Sequence, residues 1–454
     1  MMDKTKEPML RVGILTANEI VFTLPVLYRM VGTWCSGVVT CCRFVKGEQR
    51  VVADGRKIRW EGTSYETLRF DPMAPEDYFE LHDVVIGKQF HWERRENQRF
   101  PGFLDFISKE EGQVTAVNVV PLETYLSSVI SSEMSATASP ALLKAHAIIS
   151  RSWLVNLLEA SEWPDNDPSK GMHEDENERI RWYERDAHAG YDVCADDHCQ
   201  RYQGITRVVG DQARQAVEET RGMVLVHGGR VCDARFSKCC GGALEEFNTC
   251  WANRLPSYLQ AKRDLPASLE NHPLPDLTRE VEAEKWIRSS PEAFCHTTDA
   301  AILAQVLNDY DRETTDFFRW QVSYTQDELA ALVRERSGVD FGGIVDLRPL
   351  TRGRSGRISR LEIVGTLRTM VIGKELEIRR TLSSSHLYSS AFVVDKEQVE
   401  EGQLPSRFVL TGAGWGHGVG LCQIGAAVMG EQGYTYEEIL AHYYPNTLIT
   451  QRYQ

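Results

Sequence analysis

The chain reads as an α+β protein, mostly antiparallel strands with a few helices set against them. Three observations predict this. Residues 11–118 are dense in short runs that alternate apolar and polar residues, with turn signals such as Asp54-Gly55 between them. Two stretches with helical apolar spacing follow, over 122–134 and from 139 onward. Strand-like runs then return around 320–324 and 360–364, ahead of a compact, glycine-rich end.

Taken in order, residues 1–112 form a strand-rich N-terminal region, with Arg11–Leu15 as the first strand and 36–44 among the later ones. Residues 113–262 form the first part of a mixed α/β core. Its strand at 113–120 leads into a helix over Leu122–Met134. A second helix starts with Ser139 as N-cap and Pro140 in its first turn, and runs through Leu142, Leu143, Ile148, Ile149, Trp153 and Leu154. His146 and Arg151 lie within it, placed to line a cleft or to decorate its rim. Residues 160–187 are charged and read as a surface excursion, and 263–318, with Pro266, Pro273 and Pro275, as a polar insertion. Residues 319–454 complete the core: strands, a glycine-rich loop at 412–420, a short helix at about 421–432, and Thr435 to Glu438 as a capping box opening the last helix.

Composition narrows the function. At 454 residues the chain can bury more than one core. Its 51 basic and 65 acidic residues give a net charge of −14, which argues against a general nucleic-acid binder but leaves a neutral polymer open. Ten Trp and 16 Tyr supply rings that commonly form core and sometimes form sugar platforms. Neither a secretory leader nor an apolar run long enough to span a membrane is recognised, so no transmembrane segment is expected. Eleven unevenly placed cysteines do not make a disulfide framework, and the pairs Cys41-Cys42 and Cys239-Cys240 read as buried thiols in strands.

Four segments carry the chemistry. Glu133 closes the largely apolar stretch from Val129 to Met134, and apolar surroundings favour the uncharged carboxyl that a general acid requires. His188, Cys194, His198 and Cys199 place two imidazoles and two thiols within twelve residues, a donor set that suits zinc. A Cys194–Cys199 disulfide or two free thiols are the alternatives. Residues 412–425 hold six glycines around Trp415, His417 and Gln423; the segment lacks the lysine of a phosphate loop, and its stacking ring, titratable group and amide suit a sugar. Residues 234–246 add Ser237 and Glu245 after Gly241-Gly242.

The ordered set of motifs resembles the stage II sporulation protein D/LytB amidase-enhancer family. It runs through residues 120–126 and 131–134, His146 with Ser150 to Ser152, Asp192 to Cys194 with His198 to Gln200, Gly241-Gly242, 414–420 with 423–426, and His442 to Pro445. The match spans roughly 115–260 and 405–450. The chain departs from it at Ser135, where the family usually has proline, and at Leu244, where threonine is common.

The resemblance implies a lytic transglycosylase acting on peptidoglycan glycan strands, best on strands stripped of stem peptides. It puts the catalytic glutamate at Glu133 and zinc ligands in the 188–199 cluster. Arg151, Ser237, Glu245, Trp415, His417 and Gln423 are then the expected substrate contacts. A cell-wall amidase is the expected protein partner of the rival reading, a non-catalytic glycan-binding enhancer. Glu245 keeps a two-carboxylate hydrolase open, and a structural zinc protein is the third reading. The family implies the cell envelope, whereas the missing leader points to the cytoplasm.

Overall fold

The computed structural model describes residues 5–33, 39–87, 93–109, 112–135, 137–160, 171–183, 188–196, 199–206, 211–266, 269, 273–306, 316–397 and 403–454. Its helices are α1 (Leu122–Glu133), α2 (Pro140–Ala160), α3 (Asp211–Glu219), α4 (Phe247–Cys250), α5 (Glu280–Arg288), α6 (Ala300–Val306), α7 (Gln326–Ser337), α8 (Glu375–Thr381), α9 (Gln423–Glu431) and α10 (Tyr436–Tyr443). With mostly antiparallel sheets beside them, the fold is α+β. Among the described residues no helix is long and apolar enough to cross a membrane. The chain divides into two units, each described by itself below.

Unit 1 comprises Met1–Ala136, Arg185–Met223 and Gln451–Gln454. Alternating burial along its strands builds an 11-stranded sheet. Neighbour to neighbour, its main path runs Val193–Cys194, Met9–Ala17, Gln113–Pro121, Phe103–Lys109, Thr67–Pro72, Glu19–Thr33, Val39–Asp54, Lys57–Trp60 and Thr63–Tyr65. Tyr78–Ile86 and Arg94–Pro101 branch from Glu19–Thr33. Phe22, Phe70, Phe106 and Trp60 meet edge-on or tilted in its core. The pairing of Met9 with Pro121 delivers the chain into α1, whose face of Leu122, Tyr125, Leu126, Val129 and Ile130 is fully buried. Among the described residues of this sheet, only the short strand Val193–Cys194 pairs in parallel, against Val12 and Gly13, and it carries a proposed metal ligand into the sheet edge.

Unit 2 comprises Thr137–Glu184 and Val224–Thr450. Ser139 accepts a hydrogen bond from the Leu142 amide at 3.3 Å, as expected of the N-cap of α2. The sheet His173–Glu174, Glu178–Ile180, Thr369–Gly373, Ile358–Gly365 and Ile344–Arg352 packs on α7 and α8 around Leu329, Leu361, Ile363, Ile378 and Phe408. Two of those strands come from the charged stretch 160–187. The described part of that stretch is thus sheet edge, with Trp182 buried, because Arg179 and Glu178 find partners there in Glu174 and Arg360. The expected polar insertion also contributes core: Asp264, Leu277, Trp286, Phe294 and Cys295 are buried.

Candidate functional site

Glu133 is the last residue of α1; Met134 breaks the helix with extended dihedrals of φ −120° and ψ 149°. The loop that follows Cys199 lies against this end. Its Arg201 amide donates to Glu133 Oε1 at 3.4 Å, and its Gln203 amide donates to Ser128 Oγ at 3.3 Å. Tyr202 anchors the loop: its ring stacks on Tyr125 with centroids 4.7 Å apart, and its hydroxyl donates to Asn118 Oδ1 at 2.7 Å. Asn118 in turn donates to the Pro101 and Phe103 carbonyls, so the loop is tied to the sheet. A half-buried carboxylate is therefore held by a helix end on one side and an anchored loop on the other.

Two residues before Arg201 the same loop carries Cys199. Its sulfur lies 3.1 Å from His188 Nε2 and accepts from the Cys194 amide at 3.5 Å. One ligand atom from each of His188, Cys194 and Cys199 lies within 4.8 Å of the others. Two thiols and an imidazole so close fit a single soft or borderline ion, such as zinc. His198, the fourth expected ligand, lies outside the described residues. A cavity in unit 1 runs alongside, lined by Gly13, Val85, Gln98, Cys194, Asp196 and Tyr202 among others.

The remaining expected site residues all lie in unit 2. Arg151 and Glu245 are 0 % exposed, and Gln423 and Ser237 are buried, so the side chains of these four present little or no surface to a ligand. Glu245 is instead a buttress. It accepts from the Arg354, Ser355 and Glu246 amides at 3.0, 3.1 and 2.8 Å and from the Ser355 hydroxyl at 2.6 Å, beside the Arg357 guanidinium. Burial pushes its carboxyl above the usual range, and those hydrogen bonds pull it back.

Gln423 faces His146, with its amide nitrogen 3.0 Å from His146 Nε2, while His146 Nδ1 meets Ser150 Oγ at 3.2 Å. Burial drives His146 down to about 3, aided by the charge on Lys238. With the imidazole neutral, the Gln423 amide donates to Nε2 and Nδ1–H donates to the hydroxyl.

The glycine-rich loop places positive φ at Gly414, Gly416, Gly418 and Gly420. At Gly418 the requirement is also spatial, since a Cβ there would lie 2.5 Å from the Arg357 guanidinium carbon. His417 is half-buried and its Nδ1 accepts from the Val419 amide at 3.0 Å. Burial, then the charges of Arg235, Arg357 and Arg379, hold it well below the usual histidine range, so it is neutral. Half-buried Trp415 already stacks on Phe317 at 4.7 Å, with Tyr388 against it edge-on.

A cluster missed in the sequence lies nearby in the same unit: Cys240, Asp264, Cys295 and Cys422, all buried, with ligand atoms mutually within 4.8 Å. Its donor set could hold a metal ion. The signal was present in Cys240 and Cys422, but Asp264 and Cys295 sit in the stretch expected to be a polar insertion, where no spacing links them to the other two.

Residues 110–227 match the family model described as stage II sporulation protein, SpoIID. This chain carries a SpoIID domain. It is 24 % identical over 336 residues to stage II sporulation protein D of Bacillus amyloliquefaciens, covering 74 % of this chain and 76 % of that protein. The Bacillus subtilis protein of the same name is 23 % identical over the same shares. The amidase enhancer of Bacillus subtilis is 24 % identical over 250 residues, 52 % of this chain but 32 % of its own length, so this chain spans about a third of that relative. Residues 245–420 match a second model, described only as a domain of unknown function, DUF8618. The SpoIID match holds Glu133, His188, Cys194 and Cys199; Glu245, Trp415 and His417 fall in the second match, and Ser237 and Gln423 in neither.

Proposed function

We propose that this SpoIID-domain protein is a peptidoglycan lytic transglycosylase that uses Glu133 as its one acid–base group. The observation that supports the reading is the position of Glu133: a half-buried carboxylate at a helix end, oriented by the Arg201 amide on its Oε1. Protonated Glu133 gives its proton to the oxygen between N-acetylmuramic acid and N-acetylglucosamine, and the glycosidic bond breaks. The carboxylate then takes the proton of the muramic 6-hydroxyl, whose oxygen bonds to the anomeric carbon and closes a 1,6-anhydro ring. Proton donated and proton taken balance, and no water is consumed. Because the nucleophile belongs to the substrate, its effective concentration is already high and no second carboxylate is required.

The Arg201 amide keeps Glu133 oriented through both steps, and Tyr202 keeps Arg201 in place. His188, Cys194 and Cys199 would hold zinc, which when bound neutralises the two thiolates and stiffens the loop that carries Arg201. Trp415, half-exposed beside Phe317, offers the aromatic face of the glycine-rich loop to a sugar.

The amidase-enhancer relative favours a second reading, a glycan-binding module that stimulates a cell-wall amidase without cutting glycan itself. Mass spectrometry of denuded glycan strands after incubation separates the two. New 1,6-anhydro ends support the transglycosylase. New reducing ends point to hydrolysis, and unchanged strands with stimulation of an added amidase point to the enhancer.

A further inference from the structure

We infer that Cys240, Asp264, Cys295 and Cys422 form a metal site of their own in unit 2, taking a single tetrahedral ion of the zinc type. It does not depend on the proposed activity. The donors converge: Cys240 Sγ lies 3.3 Å from Asp264 Oδ2 and 3.4 Å from Cys295 Sγ, and all four ligand atoms fall within 4.8 Å of one another. Thiolates around one zinc ion sit about 3.8 Å apart, the tetrahedron edge set by a zinc–sulfur bond of about 2.3 Å. This spacing therefore fits a mononuclear site, whereas iron–sulfur clusters hold their cysteines further apart.

The surroundings are built for an ion. Asp264 and Cys422 are 0 % exposed, Cys295 1 % and Cys240 2 %. Four acidic ligand groups so deep in the protein need either protons or a cation to balance them. Asp264 is held from behind: His442 Nε2 lies 3.1 Å from its Oδ1, and the Tyr443 hydroxyl donates to the same oxygen at 3.0 Å, so Oδ2 points at the sulfurs. Such partners, orienting one carboxylate oxygen so that the other can ligate, are the usual companions of a metal. Cys422 Sγ accepts from the Cys240 amide at 3.2 Å. Gly425 completes the cradle, because a Cβ there would lie 2.6 Å from Asp264 Oδ2 and 2.3 Å from the Tyr443 hydroxyl. The motif His442 to Pro445 and the glycine of 423–426 thereby acquire a physical reason.

Four distant stretches of sequence meet here: the segment after Phe236–Ser237, the strand-like stretch at 264, the loop at 295 and the start of α9. An ion at this point ties the glycine-rich loop, which leads into Cys422, to the rest of unit 2.

The test is cobalt(II) binding to the full-length, reduced protein, read as equivalents bound and as thiolate-to-cobalt charge-transfer absorbance. The wild type is expected to take about two equivalents, with absorbance for about five thiolates. Cys194→Ser/Cys199→Ser is expected to keep about one equivalent with three thiolates' absorbance. Cys240→Ser/Cys295→Ser, checked for folding by circular dichroism, should lose one equivalent. Wild-type saturation with only two thiolates' absorbance would overturn the site, a reading that needs no variant to fold. So would a Cys240–Cys295 disulfide in freshly prepared protein, or full binding by folded Cys240→Ser/Cys295→Ser.

Discussion

The backbone amide of Arg201 points at Oε1 of Glu133 across 3.4 Å, joining the end of α1 to a loop that sulfur and aromatic anchors hold in place. The contact is long, so its value lies in orientation more than in binding energy. Anything that loosens the loop should therefore lower turnover before it unfolds the protein.

Tyr202 is the sharpest probe of that loop. Tyr202→Phe keeps the stacking on Tyr125 but removes the hydroxyl that Asn118 accepts. Urea unfolding should register a loss of about 1–2 kcal/mol, the usual consequence of leaving a buried acceptor unpaired. Glycan cleavage should fall while substrate affinity changes little. Wild-type turnover in the variant would show that the loop does not position the acid.

Glu245 separates one carboxylate from two. Its oxygens are taken up by three backbone amides and the Ser355 hydroxyl, beside Arg357. Glu245→Gln turns an acceptor into a donor facing donors, and chemical denaturation should show about 3 kcal/mol lost. The fraction that remains folded should cleave glycan as the wild type does. Loss of turnover with stability intact would instead argue for a hydrolase with Glu245 as its second carboxylate.

His146 links pH to stability in unit 2. Its folded value near 3 lies below the ordinary 6.5, so the unfolded chain takes up the proton first as pH falls. The contribution is intact above about 6.5 and drains away as pH drops toward 3. Between pH 7 and 5 this one group should cost about 2 kcal/mol. His146→Gln should show a pH 7-to-5 change in unfolding free energy smaller by about that amount; an unchanged slope would mean that His146 is not held neutral.

Gly418→Ala tests the glycine-rich loop. The position has φ 74° and abuts the Arg357 guanidinium, so both backbone and space oppose a methyl group. A loss of more than about 2 kcal/mol is expected in thermal or urea unfolding. A neutral substitution would mean that the loop relaxes easily.

Much of the architecture was legible from local signals. The boundaries of α1, the Ser139 cap of α2 and the Thr435 capping box are short-range chemistry, and each appears where its residues put it. What the sequence hid is long-range. The strand at Glu178–Ile180 looked like solvated charge because one of its partners lies far away at Thr369–Gly373. Asp264 and Cys295 likewise looked like surface, since nothing local marks a residue that is buried by Cys240 and Cys422. At the candidate site, His188, Cys194 and Cys199 were readable as a donor set from their spacing, whereas the Arg201 amide against Glu133 was not, because a backbone donor leaves no mark in the sequence. The burial of Glu245, Arg151 and Gln423 was not, because polar side chains give no periodic cue to their own enclosure.

A single carboxylate, Glu133, is proposed to perform the cleavage. The direct measurement is mass spectrometry of products formed from denuded glycan strands by wild-type protein and Glu133→Gln, with circular dichroism confirming that both are folded. The wild type should yield 1,6-anhydro-terminated fragments, and the variant should yield at least about a hundredfold fewer, the scale of a lost general acid. Equal production of anhydro ends by the folded variant would contradict that role.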